Sequence, residues 1–374
     1  MERTRIPWYI WLSVAGVTSA VVGAHWDISW HRSIGRDSFW TPAHVAIQLC
    51  GVIAGITCGY LILWTTFGHT KLREASVNVL GFRGPLGAFI CAWGGFTMIT
   101  SAPFDDWWHN AYGLDVKILS PPHMAAALGI FAVEIGTLVL IATFMNRATG
   151  EAKRKLEYLF LYLTGLMVVA GMVTVIELTS RVSLHSPACY EAVCIGTPTI
   201  LAIASRATGL RWAATTTSGI YSVFVIGQLW ILPLFPAQPK LGPVMSPVTH
   251  FIPNEFPVLV IVPAFVLDLL WPRMSRWNTL TRALISGILF FAVLVAVEWP
   301  FGDFLQSPWA RNWIFGSAYR SYFQSPQSFW SLYKFIPAPP PPQFRLGMAI
   351  AAVNAVFSMW IGMSLGDWLK RVRR

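Results

Sequence analysis

Long apolar runs, each bounded by polar or charged residues, follow one another along almost the whole chain. Ten of them approach or exceed the roughly 20 residues that cross a bilayer as a helix. They are residues 7–27, 41–66, 83–104, 121–146, 157–180, 194–208, 212–235, 253–272, 279–299 and 346–369. Backbone groups inside a bilayer must be hydrogen-bonded within the protein, so such runs predict helices. The pattern therefore predicts an all-α, polytopic transmembrane helical bundle of about ten helices.

The sixth run, 194–208, is short for a full span. It predicts either a half-helix or one long bent helix formed together with the seventh run. Cys189 and Cys194 precede or open this run, in a segment expected to be an outer loop. An oxidising environment there would permit a disulfide, but the spacing alone does not establish one. The other cysteines, Cys50, Cys58 and Cys91, fall inside predicted spans and are interpreted as packing residues.

Charge distribution predicts the orientation of the helices. Charged residues are only 12% of the chain, against roughly 25% in soluble domains, and the net charge of +10 is concentrated in alternate connecting segments. This is the positive-inside bias, and it predicts that both termini are cytoplasmic. The 18 of 27 Lys and Arg residues that are then cytoplasmic are Arg3, Arg5, Lys71, Arg73, Arg83, Arg147, Lys153, Arg154, Lys155, Arg206, Arg211, Arg273, Arg276, Arg282, Lys370, Arg371, Arg373 and Arg374. No basic stripe remains for nucleic acid.

A cluster of ionisable residues lies where the first apolar run meets its outer loop. Asp27 and His31 are four residues apart, so on a helix they project from one face, one turn apart. His44 opens the helix that returns from the same surface, after Pro42 at a position suited to the first turn. The three side chains are therefore expected to converge on one metal ion.

The same arrangement recurs in the second helix pair. Asp105 and His109 repeat the four-residue spacing, and His123 opens the return helix after Pro121 and Pro122. The spacings are Asp-x3-His-x12-His in the first set and Asp-x3-His-x13-His in the second. Ionisable groups at membrane depth are costly and usually functional. We therefore interpret both sets as metal sites on the outer side, and we expect them to lie side by side.

The ligand types alone leave the metal open. Two imidazoles and one carboxylate describe non-haem iron sites, while imidazole also suits copper and zinc. Zinc would make a hydrolytic or structural site. The sequence contains no zincin motif and no histidine boxes of the membrane di-iron desaturases.

The residues around these sets resemble a known family. The segment from Asp27 to His44, with Ser-Trp-His, Arg-Asp and Phe-x-Thr-Pro-x-His, resembles the C subunit of the copper membrane monooxygenases, the particulate methane and ammonia monooxygenases. The second set is similar to that subunit's other metal region, where Asp105 stands at a position commonly occupied by asparagine. The match covers about residues 15–145. The resemblance implies copper, in preference to iron or zinc, at Asp27, His31 and His44 and at Asp105, His109 and His123.

The resemblance also implies a function, and its extent suggests a domain division. Residues 1–150 are expected to form the metal-binding helix pairs that resemble the family. Residues 151–374 have no counterpart in the family's C subunit, and their own pattern predicts further transmembrane helices with a long outer aromatic and proline-rich loop, 300–345. The implied function is a membrane subunit that oxidises a small apolar substrate with oxygen, alongside other membrane subunits and cupredoxin-like subunits, in a bacterial inner membrane among lipids. The alternatives are a non-catalytic copper-binding or structural subunit of a larger assembly, and a transporter.

Glu134 is a further polar residue within the spans. It follows His123 by eleven residues and so returns to nearly the same helix face, three turns deeper. Two interpretations are open: it relays protons towards the second metal set, or it hydrogen-bonds to a neighbouring helix.

Overall fold

The computed structural model describes residues 6–35, 40–68, 71–113, 120–240, 248–317 and 342–374. In these ranges the chain forms ten α-helices and one small hairpin, which confirms the predicted helical fold. The helices are α1 (Trp8–Ser33), α2 (Pro42–Phe67), α3 (Leu86–Tyr112), α4 (Pro121–Met145), α5 (Gly150–Thr174), α6 (Pro187–Ala207), α7 (Ala213–Ile231), α8 (Ile261–Leu270), α9 (Thr279–Gln306) and α10 (Phe344–Leu369). The hairpin pairs β1 (Val77–Val79) with β2 (Phe82–Gly84).

Eight of the described helices are long and apolar enough to cross a membrane, all except α1 and α8. The chain is therefore an integral membrane protein. Helix α1 has 26 residues, which is enough length, but its aromatic, hydroxyl and ionisable side chains make it less apolar than the eight. Helix α8 has only 10 residues.

The sixth and eighth runs fold differently from their predictions. Helix α6 is a separate 21-residue helix, because Ser186 caps it and Pro187 opens it well before the apolar run begins. The predictions of a half-helix and of a bend into α7 are both wrong. Cys189 and Cys194 lie buried within α6 as free thiols, so the expected loop and its disulfide are absent.

In the eighth run only α8 is α-helical, followed by a short 3-10 helix at Trp271–Met274, and residues 251–260 are mostly buried without regular structure. Pro253 and Pro257 explain the break, since proline lacks the N–H donor and disfavours helix at the preceding residue. The predicted loop 300–345 also begins later than expected, because α9 continues through Pro300 to Gln306. Residues 318–341 of that loop lie outside the described ranges.

The chain divides into two compact units. The first contains α1 up to Asp27, then α2 to α4, most of α5 and the C-terminal segment Trp368–Arg374. The second contains Ile28–Gly35, the end of α5, α6 to α9 and the larger part of α10.

Glycines bring the backbones of α3 and α4 close together in the first unit. A Cβ added to Gly94 would lie 2.7 Å from the carbonyl oxygen of Gly129, and one added to Gly136 would lie 2.7 Å from that of Gly87. The two glycines on each helix are seven residues apart, or about two turns, so the antiparallel helices touch at two successive levels. Small residues of this kind let membrane helices approach closely and gain dispersion contacts.

The second unit shields the non-helical segment of the eighth run. The backbone N–H of Leu259 donates to Glu298 of α9 at 2.8 Å. Arg181, which is 1% exposed, donates from Nε to Glu255 at 3.0 Å. Backbone outside a helix is tolerated at membrane depth only when the protein supplies hydrogen-bond partners for it, as Glu298 does for Leu259.

Candidate metal centres

The first candidate centre is built by the end of α1 and the start of α2. Asp27 and His31 occupy the last two turns of α1. The hydroxyl of Thr41 accepts a hydrogen bond from the backbone N–H of His44 at 3.2 Å, and Pro42 follows as the first helical residue. This N-cap fixes where α2 begins and so places His44 in its first turn.

The structure brings the three side chains of this set together. One ligand atom each from Asp27, His31 and His44 lies within 4.8 Å of the other two. His44 Nε2 is 3.1 Å from Asp27 Oδ1, and the side chains of these two residues are 13% and 18% exposed. The centre is thus largely withdrawn from solvent. Residues 36–39, part of the motif that suggested this set, lie outside the described ranges.

The second candidate centre is built by the end of α3 and the start of α4. Asp105 and His109 lie near the end of α3, and His123 lies in the first turn of α4, after Ser120 as N-cap and Pro121. Ligand atoms of the three residues again lie within 4.8 Å of one another. The close packing of α3 on α4 is what holds His123 beside the other two. Residues 114–119, between the helices, lie outside the described ranges.

One carboxylate oxygen of Asp105 faces both histidines of the second set. Asp105 Oδ1 lies 3.5 Å from His109 Nε2 and 3.4 Å from His123 Nε2. These separations are longer than good hydrogen bonds. They match the edge of about 3.4 Å between ligands that are each about 2.1 Å from a tetrahedral metal such as zinc. The spacing therefore fits residues arranged around an ion better than residues bonded to one another.

The second ring nitrogen of His109 supports the same assignment. His109 Nδ1 lies 3.3 Å from the backbone carbonyl of Gly113, just past the end of α3. A carbonyl can only accept, so this contact assigns the proton to Nδ1 and leaves the Nε2 lone pair facing Asp105. Metal-binding histidines usually make such an outer contact, which fixes the tautomer and ring orientation.

Glu134 lacks the hydrogen-bond partner that a structural role between helices would require. It is fully buried in α4, and neither carboxylate oxygen has a hydrogen-bond partner among the described residues. The interpretation that Glu134 bonds to a neighbouring helix is therefore wrong for the described part of the chain. The proton-relay interpretation stays a prediction.

Two polar features of the second unit were not anticipated. The Arg181–Glu255 pair is nearly inaccessible, and Glu298 supports the non-helical segment. The only indication of these residues in the sequence is that they are charged and lie within or beside apolar runs. Which charges meet depends on contacts between residues far apart in the chain, such as Arg181 and Glu255, and spacing does not encode these.

Comparison with known proteins identifies no relative: no family model, no curated protein and no solved structure matches this chain.

Proposed function

We propose that this protein is a copper-binding integral membrane subunit of a monooxygenase-like complex that oxidises a small apolar substrate with oxygen. The observation that carries the proposal is the presence of two Asp/His/His sets, each with its ligand atoms gathered within 4.8 Å at the ends of a helix pair. Such matched sets at two separate helix pairs are hard to attribute to interfacial polar residues alone. The resemblance of residues 15–145 to the C subunit of the copper membrane monooxygenases supplies the reaction class.

Asp27, His31 and His44 would hold one ion, and Asp105, His109 and His123 the other. Bound copper would supply one-electron and oxygen chemistry, which these side chains lack. The carboxylate lowers the net charge of each centre, and the imidazoles favour copper over harder cations. The Gly113 carbonyl keeps His109 turned towards Asp105, so this ligand is oriented before an ion arrives.

The surroundings of the centres suit an apolar substrate. Asp105 is 9% exposed and His109 10%, so water reaches these ligands only to a limited extent. Helices α2, α3 and α4 also carry apolar side chains on their exposed faces, which would face lipid. A small apolar molecule dissolved in the bilayer would thus reach the helix bundle without crossing a charged surface.

The basic residues support an orientation for the chain. With the N-terminus inside and residues 251–260 together with α8 forming one discontinuous crossing, ten crossings put both termini in the cytoplasm. Both centres then lie on the outer side, which in a bacterial inner membrane is the extracytoplasmic side. The chain has no haem, flavin or nucleotide motif, so electrons would come from a quinol or from partner subunits such as cupredoxin-like proteins.

Metal analysis of the purified full-length protein tests the proposal. We expect copper by elemental analysis, with nitrogen hyperfine structure in the Cu(II) EPR spectrum. The variants His31→Ala/His44→Ala and His109→Ala/His123→Ala should each lose part of the copper. His250→Ala, which removes a histidine outside both sets, is the matched control and should keep all of it.

Oxygen-dependent product formation separates catalysis from the alternative. Copper that binds as expected, without turnover in the assembled complex supplied with reductant, would favour the non-catalytic or structural subunit. Copper content that is unchanged in both double-histidine variants would refute the assigned centres.

A further inference from the structure

One arginine in the second unit is buried without a partner. Arg282, at the end of the first turn of α9, is 8% exposed. Its guanidinium group makes no hydrogen bond or ion pair with any residue that the structure describes, and its Nε is closed to solvent. A buried charge is costly unless it is paired and hydrogen-bonded. Arg282 therefore needs an anionic partner that the described chain does not supply.

The polar groups around Arg282 are already engaged with other residues. Both carboxylate oxygens of Asp367 accept hydrogen bonds from Arg206, at 2.9 Å from Nε and 2.7 Å from Nη2. Asp367 and Arg206 act on Arg282 only through their charges. The hydroxyl of Ser286, one turn further along α9, accepts from the indole N–H of Trp271 at 2.9 Å. Arg282 could use either acceptor only if one of these contacts were broken.

The segment that leads into α9 is basic and aromatic. Arg273 and Arg276 are exposed, and Trp277 is 46% exposed. No acidic residue occurs between Asp268 and Glu298. The N-terminus of a helix carries a partial positive charge that favours anions. Arginine and tryptophan side chains are typical of the cytoplasmic membrane–water interface, so this end of α9 suits an anion at the level of the lipid headgroups.

We propose that Arg282, at the start of α9, is the centre of a binding site for a phosphate group. The planar guanidinium group matches phosphate with two parallel hydrogen bonds. Its two terminal nitrogens are not fully covered, so they can donate to a ligand while Nε stays closed. Anionic lipids present phosphate at the cytoplasmic surface of a membrane, and a soluble phosphate would offer the same chemistry. Copper at the metal sets plays no part in this site.

Thermal unfolding of the full-length protein, delipidated in detergent, tests the site with three probes. Phosphatidylglycerol should raise the unfolding temperature more than phosphatidylcholine with the same acyl chains, a lipid without net charge. Inorganic phosphate is the third probe. A rise with phosphatidylglycerol that inorganic phosphate does not reproduce assigns the site to a lipid headgroup. A rise with inorganic phosphate alone assigns the same site to a soluble phosphate.

Variants of Arg282 then separate ligand binding from a structural role. Arg282→Met should lose the rise and bind phosphatidylglycerol about 10–100-fold more weakly, as expected for lost hydrogen bonds to a charged group. Without lipid it should unfold at the wild-type temperature or higher, because an unpaired buried charge has been removed. Arg282→Lys keeps the charge but not the paired geometry, so its loss should be intermediate.

Two other arginines provide the controls. Arg345→Met removes an exposed arginine at the start of α10 and should keep the full rise. Arg181→Met removes an equally buried arginine that is paired with Glu255, and it should lower the unfolding temperature without lipid.

Three results would overturn the proposal. The first is a wild-type protein that responds to neither phosphatidylglycerol nor inorganic phosphate, which needs no variant to fold. The second is a full rise that persists in Arg282→Met. The third is a lipid-free Arg282→Met protein that unfolds below the wild-type temperature, since Arg282 would then have a partner within the chain.

Discussion

The close contact between α3 and α4 leads to a prediction for the double variant Gly87→Ala/Gly94→Ala. A Cβ at residue 94 would lie 2.7 Å from both the Gly129 oxygen and the Val133 nitrogen. A Cβ at residue 87 would lie 2.5 Å from the Leu140 nitrogen. Ordinary contact begins at 3.4 Å, so these positions fall short by 0.7 and 0.9 Å. The obstructing atoms are backbone, so the helices themselves must move apart.

The expected loss of stability follows from two opposing effects. Overpacking costs about 1–3 kcal/mol per site, and rigid backbone neighbours put both sites near the upper end. Alanine is the better helix former by about 1 kcal/mol per residue, which offsets part of this cost. The net destabilisation is then about 2 kcal/mol per substitution and about 4 kcal/mol for the double variant.

Thermal unfolding in detergent, followed by size-exclusion fluorescence, measures this effect. Gly59→Ala in α2 is the matched control, because a Cβ there meets nothing within 4 Å, and its unfolding temperature should stay the same or rise. The double variant should also lose metal at the second set, since His123 moves with α4. A double variant as stable as Gly59→Ala would refute the argument that backbone contact holds α3 against α4.

Three further predictions follow from the same structure. Arg181→Met should destabilise the protein by about 3–5 kcal/mol in the same unfolding assay, because it leaves a buried carboxylate unpaired; a loss no larger than that of an exposed-arginine variant would contradict this. Copper ions bound near Asp27 and Asp105 should lie within roughly 10 Å, giving dipolar broadening in the EPR spectrum of the doubly loaded protein; separation beyond roughly 20 Å would exclude a shared region. A cysteine placed at Lys153 should react with an impermeant maleimide only from the cytoplasmic side. Labelling from outside would show that the chain has the opposite orientation.

Much of the helical architecture was readable from local sequence. A run of about 20 apolar residues has few alternatives to a helix in a bilayer, and this criterion identified the regions of all eight apolar helices. The four-residue spacing of Asp27 and His31 likewise places both on one helix face, because helix geometry alone relates residues one turn apart. The start of α2 was indicated by Pro42, since proline suits the first turn of a helix.

The tertiary structure decided what depends on contacts between distant segments. Apolar content did not distinguish a continuous helix from the buried, non-helical segment before α8. A non-helical backbone is stable there because Glu298 and Tyr221, on other helices, accept hydrogen bonds from its N–H groups. The sequence could not show that Gly51 of α2 lies against Met98 of α3, or that Asp105 Oδ1 lies between two imidazoles. Those encounters depend on how α2, α3 and α4 pack, and the glycines that set the approach of α3 to α4 become meaningful only once their partners on the other helix are known.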